Sequence, residues 1–171
     1  MIVDLLSLTD EPLPFEFKIA SGDIDLETEG VRIVGDINVV GELSKSAAKT
    51  DVKGSINAPV EVDCTRCLTP ISRELDIVFD VDFVDKELFP DNKETHLESA
   101  DLDTDVIEGN ELDLSQVVRE QILLNIPEQV LCRDDCRGIC PTCGKDLNEG
   151  DCNCGEKEID PRWAALKDFK S

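Results

Sequence analysis

The chain has 171 residues, of which 39 are acidic and 17 basic, giving a formal net charge of −22. That length allows one domain with a real core, or one domain with a small appendage. The charge disfavours broad nucleic-acid binding, which depends on Lys and Arg displacing counterions, and favours a basic protein partner. Aromatics are scarce (six Phe, one Trp, no Tyr), so the core must rest on Val, Ile and Leu. The opening M-I-V-D-L-L-S-L lacks a basic n-region, and no apolar run approaches the roughly 18 residues of a membrane span. The expectation is a cytoplasmic chain without membrane contact, in which cysteines are metal ligands sooner than disulfides.

In chain order, an apolar patch (Ile2, Val3, Leu5, Leu6, Leu8) leads through Pro12 and Pro14 to a short strand from Phe15 to Ile19. Three segments then alternate at period two. Val31 to Leu43 carries Val31, Ile33, Gly35, Ile37, Val39, Gly41 and Leu43 on one face. Val52 to Cys64 carries Val52, Gly54, Ile56, Ala58, Val60, Val62 and Cys64; Ile71 to Phe83 carries Ile71, Leu75, Ile77, Phe79, Val81 and Phe83. Such alternation marks strands with one dry and one wet face, and the short connectors indicate antiparallel pairing. Pro59 has no N–H for a ladder, which predicts an edge strand or a bulge there.

Periodicity fails from Asp85 to Glu111, a span with ten acidic residues and two Lys. A long acidic loop is expected, with His96 an idle solvent-exposed residue. A helix follows. Asp113 caps it, Gln116 completes a capping box, and Leu112 with Val117 forms a hydrophobic staple. Val117, Val118, Gln121, Ile122, Asn125 and Ile126 recur at helical spacing, and Leu114, Leu123 and Leu124 widen the stripe; Pro127 stops the helix. In the tail, Asp160 and Pro161 open a short helix whose Trp163, Leu166 and Phe169 make an apolar edge anchoring it on the domain.

The densest chemistry lies from Cys132 to Cys154, C-R-D-D-C-R-G-I-C-P-T-C-G-K-D-L-N-E-G-D-C-N-C. Six of the eight cysteines are here; Cys64 and Cys67 form a distant C-T-R-C. Cys140-Pro-Thr-Cys143-Gly144 brings two thiolates to one metal, and the glycine permits the positive φ that follows such a turn. Cys152 and Cys154 complete a four-sulfur set, which favours zinc and leaves no position for a catalytic water. Cys64, Cys67, Cys132 and Cys136 are then expected to form a second zinc site, tying the end of a long strand to the segment after the helix. The alternative is one zinc at the C-terminal set and four free thiols. With both sites filled the formal charge becomes about −26.

Redox chemistry competes, because both C-x-x-C motifs share thioredoxin spacing, yet neither opens a helix in a βαβ setting. Hydrolytic catalysis has no second histidine, no Gly-rich loop opening a helix and no G-x-S-x-G. The expectation is a non-enzyme of α+β class. It comprises a curved antiparallel β-sheet with one main helix packed on it and a Cys-rich zinc-binding C-terminal segment. Residues 1–136 would form the sheet-plus-helix domain and residues 137–171 a zinc knuckle with a short helix.

Taken together, C-T-R-C-L (Cys64–Leu68), L-D-L-S-Q-V-V-R-E-Q-I-L-L-N-I-P (Leu112–Pro127), the Cys132–Cys154 run and D-P-R-W-A-A-L (Asp160–Leu166) resemble the YceD-like family, named for large ribosomal RNA subunit accumulation. The resemblance covers most of the chain from about residue 30. It implies a small ribosome-biogenesis factor without established catalytic activity, and it supports two cysteine quartets, the early C-x-x-C being the more widely shared. It assigns no binding residues. Resemblance and charge are reconciled by a basic partner such as a ribosomal protein or an rRNA-processing factor. The rivals are direct RNA recognition near Arg133, Arg137 and Lys145, and zinc or redox sensing through the cysteines.

Overall fold

Alternation at period two commits the middle of the chain to a sheet. The computed structural model describes residues 1–9, 11–46, 49–86 and 104–154. Its strands are β1 (Ile2–Asp4), β2 (Leu13–Ile19), β3 (Val31–Ile33), β4 (Ile37–Lys45), β5 (Thr50–Asp63), β6 (Pro70–Asp85), β7 (Thr104–Ile107) and β8 (Glu111–Asp113), followed by the helix α1 (Leu114–Asn125). The main sheet runs β2-β4-β5-β6-β7, with β3 also on β5; β1 and β8 form a separate ribbon. The pairs are antiparallel except β6 with β7, which is parallel. The α+β class is the expected one, and the parallel β6–β7 pair makes mixed a sheet expected to be antiparallel. Two corrections apply to the stretch expected to be loop from Asp85 to Glu111: it contains β7 and the first residue of β8. His96 and the tail from Asp160 to Phe169 lie outside the described residues.

Even positions of β5 and odd positions of β4 and β6 share the dry face. Ile37, Val39, Leu43, Val52, Ile56, Ala58, Val60, Ile77, Phe79 and Phe83 are buried there with Leu114, Val117, Val118 and Ile122 of α1. Pro14 is tolerated because β2 is an edge strand, paired on one side with β4.

The expected single strand from Val31 to Leu43 is broken in two. Ile33 pairs with Val60 and Asn38 with Asn57, so residues 34–37 stand opposite Ala58 and Pro59. The Val34 N–H bonds the Pro59 carbonyl at 3.0 Å. In a strand, a residue's N–H and C=O point to the same side, so the missing Pro59 donor also faces this outward loop. Of the two expectations for Pro59, edge or bulge, the irregularity is the one found, and it lies in the partner strand while β5 stays central. A β-carbon on Gly35 would sit 2.9 Å from the Pro59 ring, so glycine is what lets the loop pass. Because the detour adds two residues, the odd positions stay on the dry face on both sides of it.

One cross-strand row explains two core-face glycines. Phe15 pairs with Gly41, Gly41 with Gly54, and Gly54 with Phe79. A β-carbon at Gly41 would lie 2.5 Å from the Phe15 ring, and one at Gly54 3.0 Å from that of Phe79. The rings cover the glycines from either side, restoring the apolar contact that glycine lacks.

At the start of α1, the Asp113 carboxylate accepts from the Ser115 N–H at 2.9 Å. Gln116 donates to Glu120 at 2.6 Å instead of returning to Asp113, so the expected capping box forms only by half. The helix packs on β6 and β1. Leu124, expected in the apolar stripe, is exposed. The Ile126 N–H reaches the Leu123 carbonyl at 3.5 Å, and Pro127 prevents a further turn.

Candidate metal centres

β5 ends at Asp63 and β6 begins at Pro70, and the connection carries Cys64 and Cys67. The Cys64 N–H bonds the Thr69 carbonyl (2.8 Å) and the Leu68 N–H the Cys64 carbonyl (2.9 Å), closing a tight turn around the first thiol. The Thr65 N–H and hydroxyl both bond the Val130 carbonyl, at 2.8 and 3.1 Å, which pulls the segment after α1 onto this turn. Cys132 and Cys136 arrive with it. The Sγ atoms of Cys64 and Cys136 are 3.8 Å apart and those of Cys67 and Cys132 3.5 Å, and all four lie within 4.8 Å of one another.

A second turn repeats the pattern. The Gly144 N–H bonds the Cys140 carbonyl and the Cys140 N–H the Lys145 carbonyl, both at 2.8 Å, while Ile139 bridges Asp146. The Sγ atoms of Cys140, Cys143, Cys152 and Cys154 also lie within 4.8 Å of one another. All eight cysteines are free of disulfides. A tetrahedron with metal–sulfur bonds of about 2.3 Å has sulfurs about 3.8 Å apart, whereas a disulfide needs about 2.05 Å. Both groups therefore have the donor set and spacing to hold a metal ion, and the structure gathers the thiols into the two quartets expected from the sequence.

The electrostatics point the same way. Burial pushes the Cys64 thiol up, but the N–H groups of Arg66, Cys67 and Cys132 outweigh it and bring the pKa to about 6. The N–H groups of Cys143 and Thr142 bring Cys140 to about 6. Cys132 is pushed up to about 12 by burial and by Cys67, and Cys154 to about 12 by Cys143 and burial. Cys136 is lowered as well, chiefly by the Asn148 amide, so each group holds at least one readily formed thiolate, while burial and the neighbouring sulfurs hold back the last proton. A divalent cation removes that obstacle.

Sequence reasoning missed how the groups are joined. Asn148 of the second unit donates to Cys136 Sγ at 3.4 Å and accepts from the Arg137 N–H at 2.8 Å. Arg66 donates to the Cys136 carbonyl at 3.0 Å and accepts from the Ile139 N–H at 3.1 Å. Gly138 passes so close that a β-carbon there would lie 3.0 Å from the Arg66 carbonyl oxygen. Nothing in D-L-N-E-G marks Asn148 as a sulfur partner. Leu68 was missed too: it holds φ at 61°, where Gly144 in the matching turn holds 74°. That region costs a non-glycine residue roughly 1–2 kcal/mol.

The basic residues near the two groups are already engaged. Arg137 pairs with Asp151, Lys145 donates to the Asp151 carbonyl at 2.8 Å, and Arg133 lies 3.5 Å from Asp135. Among the described residues no helix is long and apolar enough to cross a membrane.

A family model described as "Large ribosomal RNA subunit accumulation protein YceD" matches residues 52–170, a span that includes both thiol quartets. The chain belongs to the YceD family. Among the proteins this chain is similar to, an uncharacterized Mycobacterium tuberculosis protein is 31% identical over 115 residues, covering 67% of this chain and 53% of the relative. The uncharacterized Bacillus subtilis protein YlbN is 25% identical over 170 residues, covering 97% and 92%. An Arabidopsis thaliana protein named as a chloroplastic YCED homolog is 33% identical over 63 residues, covering 37% and 20%. The match thus spans about half the length of the mycobacterial relative and nearly all of the Bacillus one. No solved structure matches.

Proposed function

We propose that the protein is a non-enzymatic ribosome-biogenesis factor supporting accumulation of large-subunit rRNA, acting through a basic protein partner. Two zinc ions would brace it, one held by Cys64, Cys67, Cys132 and Cys136 and the other by Cys140, Cys143, Cys152 and Cys154. The observation that carries the reading is the pair of four-thiol groups at tetrahedral spacing within the YceD match. Sulfur donors select zinc over hard cations, and four ligands close the site to a reacting water. Zinc here would supply structural cross-linking.

The net charge of −22 supports a basic partner, and the pairing of Arg133 and Arg137 with carboxylates weighs against direct RNA binding. Redox catalysis is disfavoured because Cys64 and Cys67 sit in the turn between β5 and β6 and, among the described residues, do not open a helix. Metal analysis by mass spectrometry on the purified native protein should give two zinc ions per chain. RNA-free ribosomal proteins of the large subunit should be retained by the immobilised chain at low salt and released as salt rises. Absence of zinc, or rRNA fragments shifting on a gel while no basic protein is retained, would overturn the reading.

A further inference from the structure

Both thiol groups use the same turn, but with different residues at its most demanding position. After Cys140 and Cys143 the positive φ falls to Gly144, which adopts it freely; after Cys64 and Cys67 it falls to Leu68. The strain gains Leu68 no core packing, because the residue is 59% exposed. It stands on a groove of about 590 Å³ between the end of β5 and the end of α1. Val62, Leu123, Ile126 and Pro127 supply apolar lining beside it. The charged residues of the groove are Glu29, Asp63 and Glu128, with no Lys or Arg among the lining residues. Asp63 is paired with Arg32 at 2.8 Å, whereas Glu29 and Glu128 have no ion-pair partner among the described residues.

We propose that this groove docks a basic polypeptide segment, with an apolar side chain of the partner inserting between Leu68 and the Ile126–Pro127 end of α1. Its rim is complementary to Lys and Arg and repels phosphate. A second copy of this chain would bring the same carboxylates face to face, so self-association is opposed. The hydrogen bonds from the Cys64 N–H to the Thr69 carbonyl and from the Leu68 N–H to the Cys64 carbonyl hold Leu68 in place, which reduces the ordering cost of binding. The strained leucine is therefore a fixed anchor, placed where glycine would serve the turn better. The assignment rests on the basic-partner reading given above and locates its site.

The test uses the full chain with its metal, as wild type, Leu68→Gly and Glu128→Lys. The probes are a lysine-rich synthetic peptide with one central leucine, the same peptide with alanine in that place, and RNA-free ribosomal proteins of the large subunit. Leu68→Gly should melt no lower than wild type yet bind the leucine peptide about tenfold more weakly. Glu128→Lys should weaken it comparably, and the alanine peptide should not distinguish wild type from Leu68→Gly. Equal binding of the leucine peptide by wild type and Leu68→Gly, or no binding by wild type, overturns the site. If wild type and both variants retain ribosomal proteins equally, the basic-partner reading stands and the groove is not its site. If the peptide binds through Leu68 while no ribosomal protein is retained, the groove stands and the ribosomal reading falls. Loss of rRNA-fragment binding in Leu68→Gly, with peptide binding unchanged, would make nucleic acid the occupant and overturn the proposal.

Discussion

The two thiol quartets each gather four sulfurs within 4.8 Å of one another, and they differ in what they connect. The first joins the β5–β6 turn to the segment beyond α1, with Cys64 and Cys136 lying 72 residues apart in sequence. The second draws all its thiols from Cys140 to Cys154. Cys64, Cys67 and Cys136 are buried, whereas Cys143 and Cys154 are exposed. Closing a long loop removes more freedom from the unfolded chain than closing a short one, though only logarithmically so. The larger contrast is mechanical. Losing the first group frees the segment after α1 from the sheet, and losing the second frees one hairpin. Identical ligand chemistry can therefore lock a fold in one place and shape a local surface in another.

The largest effect should separate the two groups outright. Cys64→Ser should lower stability by on the order of 4 kcal/mol and broaden the sheet's unfolding transition. Cys154→Ser should leave that transition within about 1 kcal/mol of wild type. Urea unfolding followed by far-UV circular dichroism, with metal content measured on each variant, checks both; equal shifts would erase the distinction. Under graded chelation, native mass spectrometry should show one metal lost while the sheet spectrum persists.

A lesion in the sheet sharpens the contrast from the other side. Gly54→Val places a β-carbon where 2.5 Å separates it from the Val40 carbonyl oxygen, which should cost about 2–3 kcal/mol. Metal affinity should fall at the first group and stay unchanged at the second. Next comes Asn148→Ala, which removes the donor to Cys136. It should weaken metal binding at the first group by about tenfold from a position on the second unit, as read by competition with a chromophoric chelator. No change there would make the groups independent.

The smallest effect should touch neither group. Asp113→Ala removes a half-exposed N-cap and should cost no more than about 1 kcal/mol, with metal content unchanged. Burial pushes the Asp113 carboxyl up, the Ser115 N–H pulls it down, and the balance leaves its folded pKa lowered. Its contribution is thus fully present above about pH 4, the unfolded carboxyl range, and is lost as pH falls through the folded value. The wild-type and Asp113→Ala melting temperatures should therefore converge in acid.

Much of the molecule is legible from side-chain period. Val31 to Leu43, Val52 to Cys64 and Ile71 to Phe83 declare their buried faces, and Asp113 with Pro127 brackets the helix. The quartets follow from local pairs of cysteines. What stays hidden has physical reasons. The break between β3 and β4 adds two residues, and an even insertion leaves a period-two pattern intact. β7 is four residues long and gains its place by pairing parallel to β6, a contact without a local signature. Gly41 and Gly54 disclose their purpose only once Phe15 and Phe79 lie across them. Gln116 satisfies the capping-box pattern, but its amide N–H turns along the helix to the Glu120 carboxylate. Leu68 carries no warning in sequence, because a positive φ at a leucine is imposed by the turn around it.

The long reach of the first quartet has a consequence in time. A nascent chain delivers Cys64 and Cys67 early, and roughly 3–14 s of synthesis at 5–20 residues per second separate Cys64 from Cys132. For most of that interval the dry face of the growing sheet lacks α1, which is complete only at Asn125, and β1 awaits β8, complete only at Asp113. The newborn sheet is an unlatched half-structure, and a metal held by the first quartet would latch it only after Cys136 has been made. A chain stopped before α1 keeps its apolar face open to chaperones and proteases, and one stopped between α1 and Cys136 covers that face but lacks the latch, so the complete quartet marks a chain whose translation ran far enough.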